Sequence, residues 1–324
     1  MSTTPSDVVP ARAPGSPAAP ARDPERPRRR RPTATTWAGL AFLAPLLAYL
    51  VVFYAYPLWR NIDLSTHWYD ARAFVQGDAE FVGLDNHEAA ISSSSFGLAL
   101  RNTAVFTLGS IAAQYVIGLA LAVFFHRSFP LSALLRGAFL IPWLLPLIVS
   151  GSVWSWMLNS EYGIINSVLG AFGIGQVNWL TDPGTALLSV LIANIWLGIP
   201  FNLVILYSGL QNIPTDMYEA ASLDGASGWQ QFRSITFPLL RPVTAITLLL
   251  GFVYTLKVVD LIWVMTTGGP GSASANLAVL SYRFAFGTAQ PNFSMAAAIG
   301  NILILLALAV GLLYLYLQRR QEKS

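Results

Sequence analysis

The stretch Glu219-Ala220-Ala221-Ser222-Leu223-Asp224-Gly225, running on through Ile235 to Pro238, is the polar exception in an otherwise apolar chain. It lies in a segment, 212–241, set between strongly apolar runs, and it gathers Asp216, Glu219, Asp224, Arg233 and Arg241. Five charged residues between two apolar runs put this segment outside the hydrocarbon, so it must meet something outside a membrane.

The rest of the composition supports that setting. Of the 324 residues, 54% are apolar and 11% charged, where an ordinary soluble domain carries roughly 25% charged residues. That balance belongs to a polytopic membrane protein. The absence of Cys excludes thiolate metal sites, iron–sulfur clusters, thiol nucleophiles and disulfides. His67, His87 and His126 are scattered without metal-ligand spacing, so no metal site and no catalytic constellation is expected. Lysine occurs only at Lys257 and Lys323, and neither sits in a phosphate-cradling Gly-rich loop. If ATP drives this protein, another chain binds it. The net charge of +3 comes from Arg at the two ends and reads as membrane topology, not nucleic-acid binding.

Six apolar stretches can be drawn, at 36–58, 102–125, 134–158, 185–207, 242–266 and 294–318. As helix each reaches about 33–38 Å, enough for a hydrocarbon layer of about 30 Å. With no water to satisfy the backbone, helix is the state expected. The Pro-, Ala- and Arg-rich segment 1–35 cannot bury enough surface to order itself and is expected to be a disordered cytoplasmic tail. Its Arg28–Arg31 run reads as an anchor beside anionic lipid. A cleaved signal peptide fits less well, because the apolar run that follows is too long and lacks a small-residue cleavage site. With the N-terminus inside, fourteen Lys and Arg fall on inner segments and four on outer ones. This asymmetry gives an even number of spans and both termini in the cytoplasm. The loop at 59–101, with Asp63, Asp70, Asp78, Glu80, Asp85 and Glu88, is then external.

Several residues inside the spans break the apolar pattern. Pro142 and Pro146 fall in the third span and Pro200 in the fourth. They make either packing kinks or bends around a translocation path. Lys257 and Asp260 lie three residues apart in the fifth span, on one face of a continuous helix. They form either a structural ion pair or charged groups on the path. Asn194, Asn202 and Tyr254 are further path candidates, while Gln114 and Asn301 read as interhelical hydrogen-bonding amides.

In the opening stretch, Pro214 with Thr215 or Asp216 marks a helix start and Gly225 a stop. A short helix over 216–224 is expected, then a second over 228–237. Ala220 and Ala221 let another surface approach closely beside the acidic Glu219. Physical reasoning alone leaves a docking helix and a merely solvated helix both open.

The pattern Glu219-Ala220-Ala221, three residues, Gly225, nine residues, Ile235, one residue, Phe237-Pro238 resembles the EAA motif of ABC-transporter importer permeases. Phe237 stands where the family has Leu. Leu256 to Thr266 followed by Gly268-Gly269-Pro270 looks like the fifth-span signature of maltose and glycerol-3-phosphate type carbohydrate permeases. Arg101-Asn102-Thr103 and Ile141-Pro142 look like that group as well. The resemblance covers roughly 36–318. It implies an all-α integral membrane protein of the type I ABC importer permease fold, with a first transmembrane helix at 36–58 and a transmembrane domain at 98–318.

It further implies a coupling helix within 212–241 that docks on a separate ATPase through Glu219, Ala220, Ala221, Leu223, Asp224, Gly225, Ile235 and Pro238. The implied partners are a second homologous permease, two ATP-binding subunits, an extracytoplasmic sugar-binding protein and the lipid bilayer. No cofactor is bound by the chain itself, ATP and Mg being on the partner ATPase, and the setting is a bacterial inner membrane crossed several times. The resemblance to carbohydrate permeases implies a sugar as cargo; a polyol or glycerol phosphate is the alternative within the class. An ion-driven secondary transporter would need carboxylates in the spans, where only Asp260 occurs.

Overall fold

A computed structural model of the chain describes residues 34–69, 71–127 and 129–321. The tail assigned to 1–35, with its Arg28–Arg31 run, lies outside these residues, except that Ala34 and Thr35 already belong to the first helix. The chain divides into two units at Ala55–Tyr56.

The first unit holds α1 (Ala34–Leu50), which contains Pro45 and runs into a π-helical turn at Val51–Ala55. Its large side chains, among them Phe42, Leu46, Val51 and Phe53, are exposed, as a helix surrounded by hydrocarbon requires.

The second unit opens with α2 (Tyr56–Thr66), then β1 (His67–Trp68), α3 (Ala71–Gln76), β2 (Glu80–Phe81) and α4 (Asp85–Ser92). The two strands pair antiparallel, His67 opposite Phe81. The bundle follows as α5 (Ser94–His126), α6 (Ser132–Leu144), α7 (Leu147–Met157), α8 (Ile164–Ala171) and α9 (Ala186–Gln211). Next come α10 (Thr215–Leu223), α11 (Gly228–Gln231), a π-helical turn at Phe232–Thr236 and α12 (Phe237–Leu239). The chain then passes through α13 (Arg241–Leu256), α14 (Asp260–Thr266), α15 (Leu277–Phe286) and α16 (Phe293–Gln321). Among the described residues, four helices are long and apolar enough to cross a membrane, and six spans result when each of two bent pairs counts as one.

Three expectations need correction. The third apolar run, expected as one span over 134–158, is two helices that meet at 96°, broken at Leu145–Pro146. Pro200 has no such effect and lies inside unbroken α9. The fifth run, expected as one helix over 242–266, stops at Leu256 and restarts at Asp260. Lys257 and Asp260 therefore flank a break instead of sharing a helix face. No ion pair joins them; the one found among the described residues is Arg60–Asp63, with His67 Nδ1 3.4 Å from Asp63 Oδ1 beside it. Finally, α15 is an apolar helix of 10 residues inside a stretch expected to be loop.

α5 and α9 run parallel and form the central seam. Asn194 Nδ2 donates to Ser110 Oγ at 2.8 Å, across a separation of 84 residues. One turn on, Gln114 fills the space above Gly198, where any Cβ would collide with its amide, and donates to the Asn194 carbonyl at 2.8 Å. A further turn on, Gly118 faces Asn202; a Cβ there would sit 2.5 Å from Asn202 Cβ and 3.2 Å from backbone. Small residues at one-turn spacing let the two backbones approach, as membrane helices do when no hydrophobic force drives them together. Near one end, Phe106, Val190, Ala193, Leu261, Ile262 and Val279 form one buried cluster. Near the other, Phe125, Leu203, Leu206, Leu210 and Leu240 form a second.

This seam yields a test. Gly118→Val should cost about 1–3 kcal/mol through overpacking and lower the unfolding temperature of the purified protein in detergent. Gly137→Ala, at a position where an added Cβ would meet no atom within 4 Å, should leave that temperature in place or raise it slightly.

Candidate functional site

Two regions carry the residues singled out in the sequence. At the end of the bundle where α9 finishes, α10 starts at Thr215 with Pro214 in the capping position and no side chain closing its first turn. The start is thus set by the proline, and neither Thr215 nor Asp216 caps. The stop is a Schellman turn: Gly225 N–H bonds Ser222 O at 3.1 Å and Ala226 N–H bonds Ala221 O at 2.9 Å. Gly225 has φ +79° and open space around it, so glycine is required by the backbone conformation and not by crowding. Glu219, Ala220, Leu223 and Asp224 are exposed, Leu223 at 90%.

The opposite face of α10 is tied down. Tyr218 Oη and Thr236 Oγ1 share a hydrogen bond of 2.9 Å, Gln231 Nε2 donates to Ser222 Oγ at 2.9 Å, and Tyr218 and Ile235 pack on the cluster around Leu206 and Leu240. Pro238 sits in the first turn of α12. Ser227 and Gln230 close a reciprocal capping box at α11. That Ser-x-x-Gln signal was readable in the sequence.

The second region is a cavity of about 530 Å³ at the two broken spans. Asn194, Tyr254, Lys257 and Asp260 all border it, as do Pro142, Trp143, Leu145, Phe201, Thr255 and Gln114. Asn202 does not. It is buried against Gly118 and donates to Gly198 O at 2.9 Å. The rings of Trp143 and Phe201 meet edge to face at 6.1 Å, and those of Phe201 and Tyr254 at 5.7 Å. Lys257 Nζ stands 5.3 Å from the Tyr254 ring centroid. The walls thus combine aromatic faces, one cation and one carboxylate.

What holds the cavity's edge has no local signal in the sequence. Asn276, buried, donates to the Val258 carbonyl freed by the break at 2.9 Å, and its Oδ1 accepts from Val279 N–H at 2.8 Å to start α15. Asn102 Nδ2 reaches three carbonyls, Ser272, Ala273 and Ala275, at 3.2, 2.9 and 3.0 Å. Thr103 Oγ1 accepts from Leu277 N–H at 2.8 Å. The Asn102-Thr103 pair and the Gly268-Gly269-Pro270 loop, far apart in the sequence, are one construction.

The family described as binding-protein-dependent transport system inner membrane component matches residues 114–323. The chain is 34% identical over 281 residues to the trehalose/maltose transport system permease protein MalF of Thermococcus litoralis, covering 87% of this chain and 93% of that protein. It is 30% identical over 289 residues to the lactose transport system permease protein LacF of Rhizobium radiobacter, covering 88% and 95%. Among solved structures, a bacterial ABC transporter involved in the import of the acidic polysaccharide alginate aligns with a TM-score of 0.75 at 22% identity, over 88% of this chain and 96% of that one. A bacterial alginate ABC transporter in complex with an alginate pentasaccharide-bound periplasmic protein aligns with a TM-score of 0.74 at 22% identity, over 90% and 96%. These two structural likenesses bear on the fold.

The loop construction is testable. Asn102→Ala strips hydrogen bonds from three carbonyls at once, and each lost partner costs about 1–3 kcal/mol when buried. Amide exchange at 268–277 should rise sharply, while protection along the α5–α9 seam is retained.

Proposed function

The chain belongs to the family of inner-membrane components of binding-protein-dependent transport systems, and on that premise we propose how it divides its work between coupling and passage. It is a multi-pass permease subunit of an ABC importer, and ATP is hydrolysed by separate subunits. Its cargo is a sugar. The observation that carries this is the cavity lining: Trp143, Phe201 and Tyr254 offer ring faces to a sugar's C–H surface, and Asn194, Thr255, Lys257 and Asp260 offer partners for hydroxyls. Relatives named for trehalose/maltose and lactose transport support the same reading. A polyol fits the same chemistry with fewer ring contacts. Glycerol phosphate would need Lys257 as its counter-ion, against the repulsion of Asp260 in the same wall.

Energy enters at α10. Glu219, Ala220, Ala221, Leu223, Asp224 and Gly225 meet a groove of an ATPase subunit, and Ile235 and Pro238 seat the helix on the bundle. ATP and Mg stay on that partner, and this chain needs no cofactor of its own. The complete importer has this chain, a second homologous permease, two ATP-binding subunits and an extracytoplasmic sugar-binding protein. It works in a bacterial inner membrane with both ends of this chain in the cytoplasm. ATP closes the ATPase pair, and its preference for the closed state biases the permeases between outward- and inward-open forms.

Two measurements test this in the reconstituted complex. Gly225→Val forces a β-branched residue to φ +79° and unravels the helix stop; sugar uptake and retention of the ATPase subunits should fall together, with membrane insertion intact. Gly225→Asn, which tolerates that conformation, should retain most of both. Tyr254→Ala should raise the sugar concentration for half-maximal uptake several-fold, on the scale of an aromatic contact worth about 1 kcal/mol. An unchanged value across a disaccharide panel would refute the sugar role of the cavity.

A further inference from the structure

A second pocket, of about 410 Å³, lies at the far end of the bundle from α10 and shares no lining residue with the cavity. From Asn102, which clamps the adjoining loop, to Phe125 in the cluster under α10, α5 rises by roughly 35 Å. The charge asymmetry puts this pocket on the extracytoplasmic side. We propose that it receives a carboxylate side chain of the extracytoplasmic binding protein, with Arg283 as the counter-ion. The proposal rests on the chain's being a binding-protein-dependent importer subunit.

Three observations support it. First, Arg283 is half-buried and borders the pocket, yet no carboxylate lies within 4.0 Å of it among the described residues. One guanidinium nitrogen, Nη1, donates to Ser272 Oγ at 2.9 Å, which fixes the fork. A guanidinium has five N–H donors, and a held fork is shaped for bidentate capture of a carboxylate. Second, the pocket is polar and open to close approach: the hydroxyls of Thr267 and Ser272 line it, and Gly269 and Gly271 present backbone without side chains.

Third, the wall is prebuilt under strain. Thr267 and Ser272, at φ +51° and +68°, are two of the three non-glycine residues with positive φ among the described residues. Strain of this kind persists where the surroundings over-determine it. Here Asn102 grips three carbonyls of the loop, and Ser274 Oγ donates to Gly269 O at 2.7 Å. A rigid, positively charged, outward pocket suits an acidic side chain on a protein surface. A neutral sugar has no charge to match Arg283.

The test uses the complete importer in nanodiscs with its binding protein, reading ATP hydrolysis against binding-protein concentration. Arg283→Gln should raise the half-saturating concentration about tenfold or more while the maximal rate holds. It should also flatten the dependence on salt. Thr267→Asp would place a carboxylate in the pocket from this chain itself. Asp tolerates positive φ, so this variant should fold, and it should raise half-saturation further than Thr267→Asn does. Arg283→Glu should be rescued by an Asp→Arg or Glu→Arg change on the binding protein's docking face. The proposal is overturned if Arg283→Gln and Thr267→Asp both leave half-saturation unmoved. It is equally overturned if they shift only the sugar concentration required at saturating binding protein, since the pocket would then read cargo. A wild-type complex that ignores every binding protein would overturn the importer reading itself, and this proposal with it.

Discussion

In hydrocarbon a backbone carbonyl finds no water, so a helix can break only where something else satisfies it. Each unmet group there costs several kcal/mol by transfer scales of about 4–8 kcal/mol. The break at 257–259 exists under that rule. Asn276 meets the Val258 carbonyl, and Asn102 meets three carbonyls of the loop behind it. Without these amides the fifth span would have every reason to continue as helix past Lys257. The cavity would then lose the corner that turns Lys257 and Asp260 into its wall. A chamber between helices is therefore a consequence of where a few buried amides stand.

This explains what sequence reading could and could not reach. The six apolar runs, the polar segment at 212–241 and the helix stop at Gly225 are local or additive properties, and they were legible. The break at 257–259 was not. No Gly or Pro stands between Phe252 and Thr267, and propensity alone reads that run as helix. Its cause, Asn276, lies 18 residues from the carbonyl it serves. Pro142 and Pro146 signalled a bend, but the 96° angle depends on packing that no local rule supplies.

Intramembrane amides show the same divide. Asn194 and Asn202 are equivalent by sequence, both being polar groups in one apolar span. Both face α5: Asn194 donates to Ser110 Oγ and also borders the cavity, whereas Asn202 lies buried against Gly118 and does not reach it. Spaced eight residues apart they lie on neighbouring parts of one helix surface, and which of them also reaches the cavity is set by the packing of the broken spans around α9. The polar segment, by contrast, stood out by local composition alone, five charged residues between two apolar runs, and needed no tertiary knowledge to find.

The arrangement also constrains how motion can travel. α10 cannot shift alone, because Tyr218 is bonded to Thr236 and packs with Ile235 on the cluster that holds Leu206, Leu210 and Leu240. A displacement at α10 therefore moves the end of α9 and the start of α13. α9 is locked to α5 by close glycine contacts at successive turns, so the pair moves as one body. The compliant points are the breaks at 145–146 and 257–259, where helix hydrogen bonding is interrupted. Both border the cavity. If ATPase subunits act on α10 as proposed, rigid helices deliver that displacement to the two places able to yield, and the yielding changes the shape of the chamber. A bundle of six unbroken spans would have the lever without the joint.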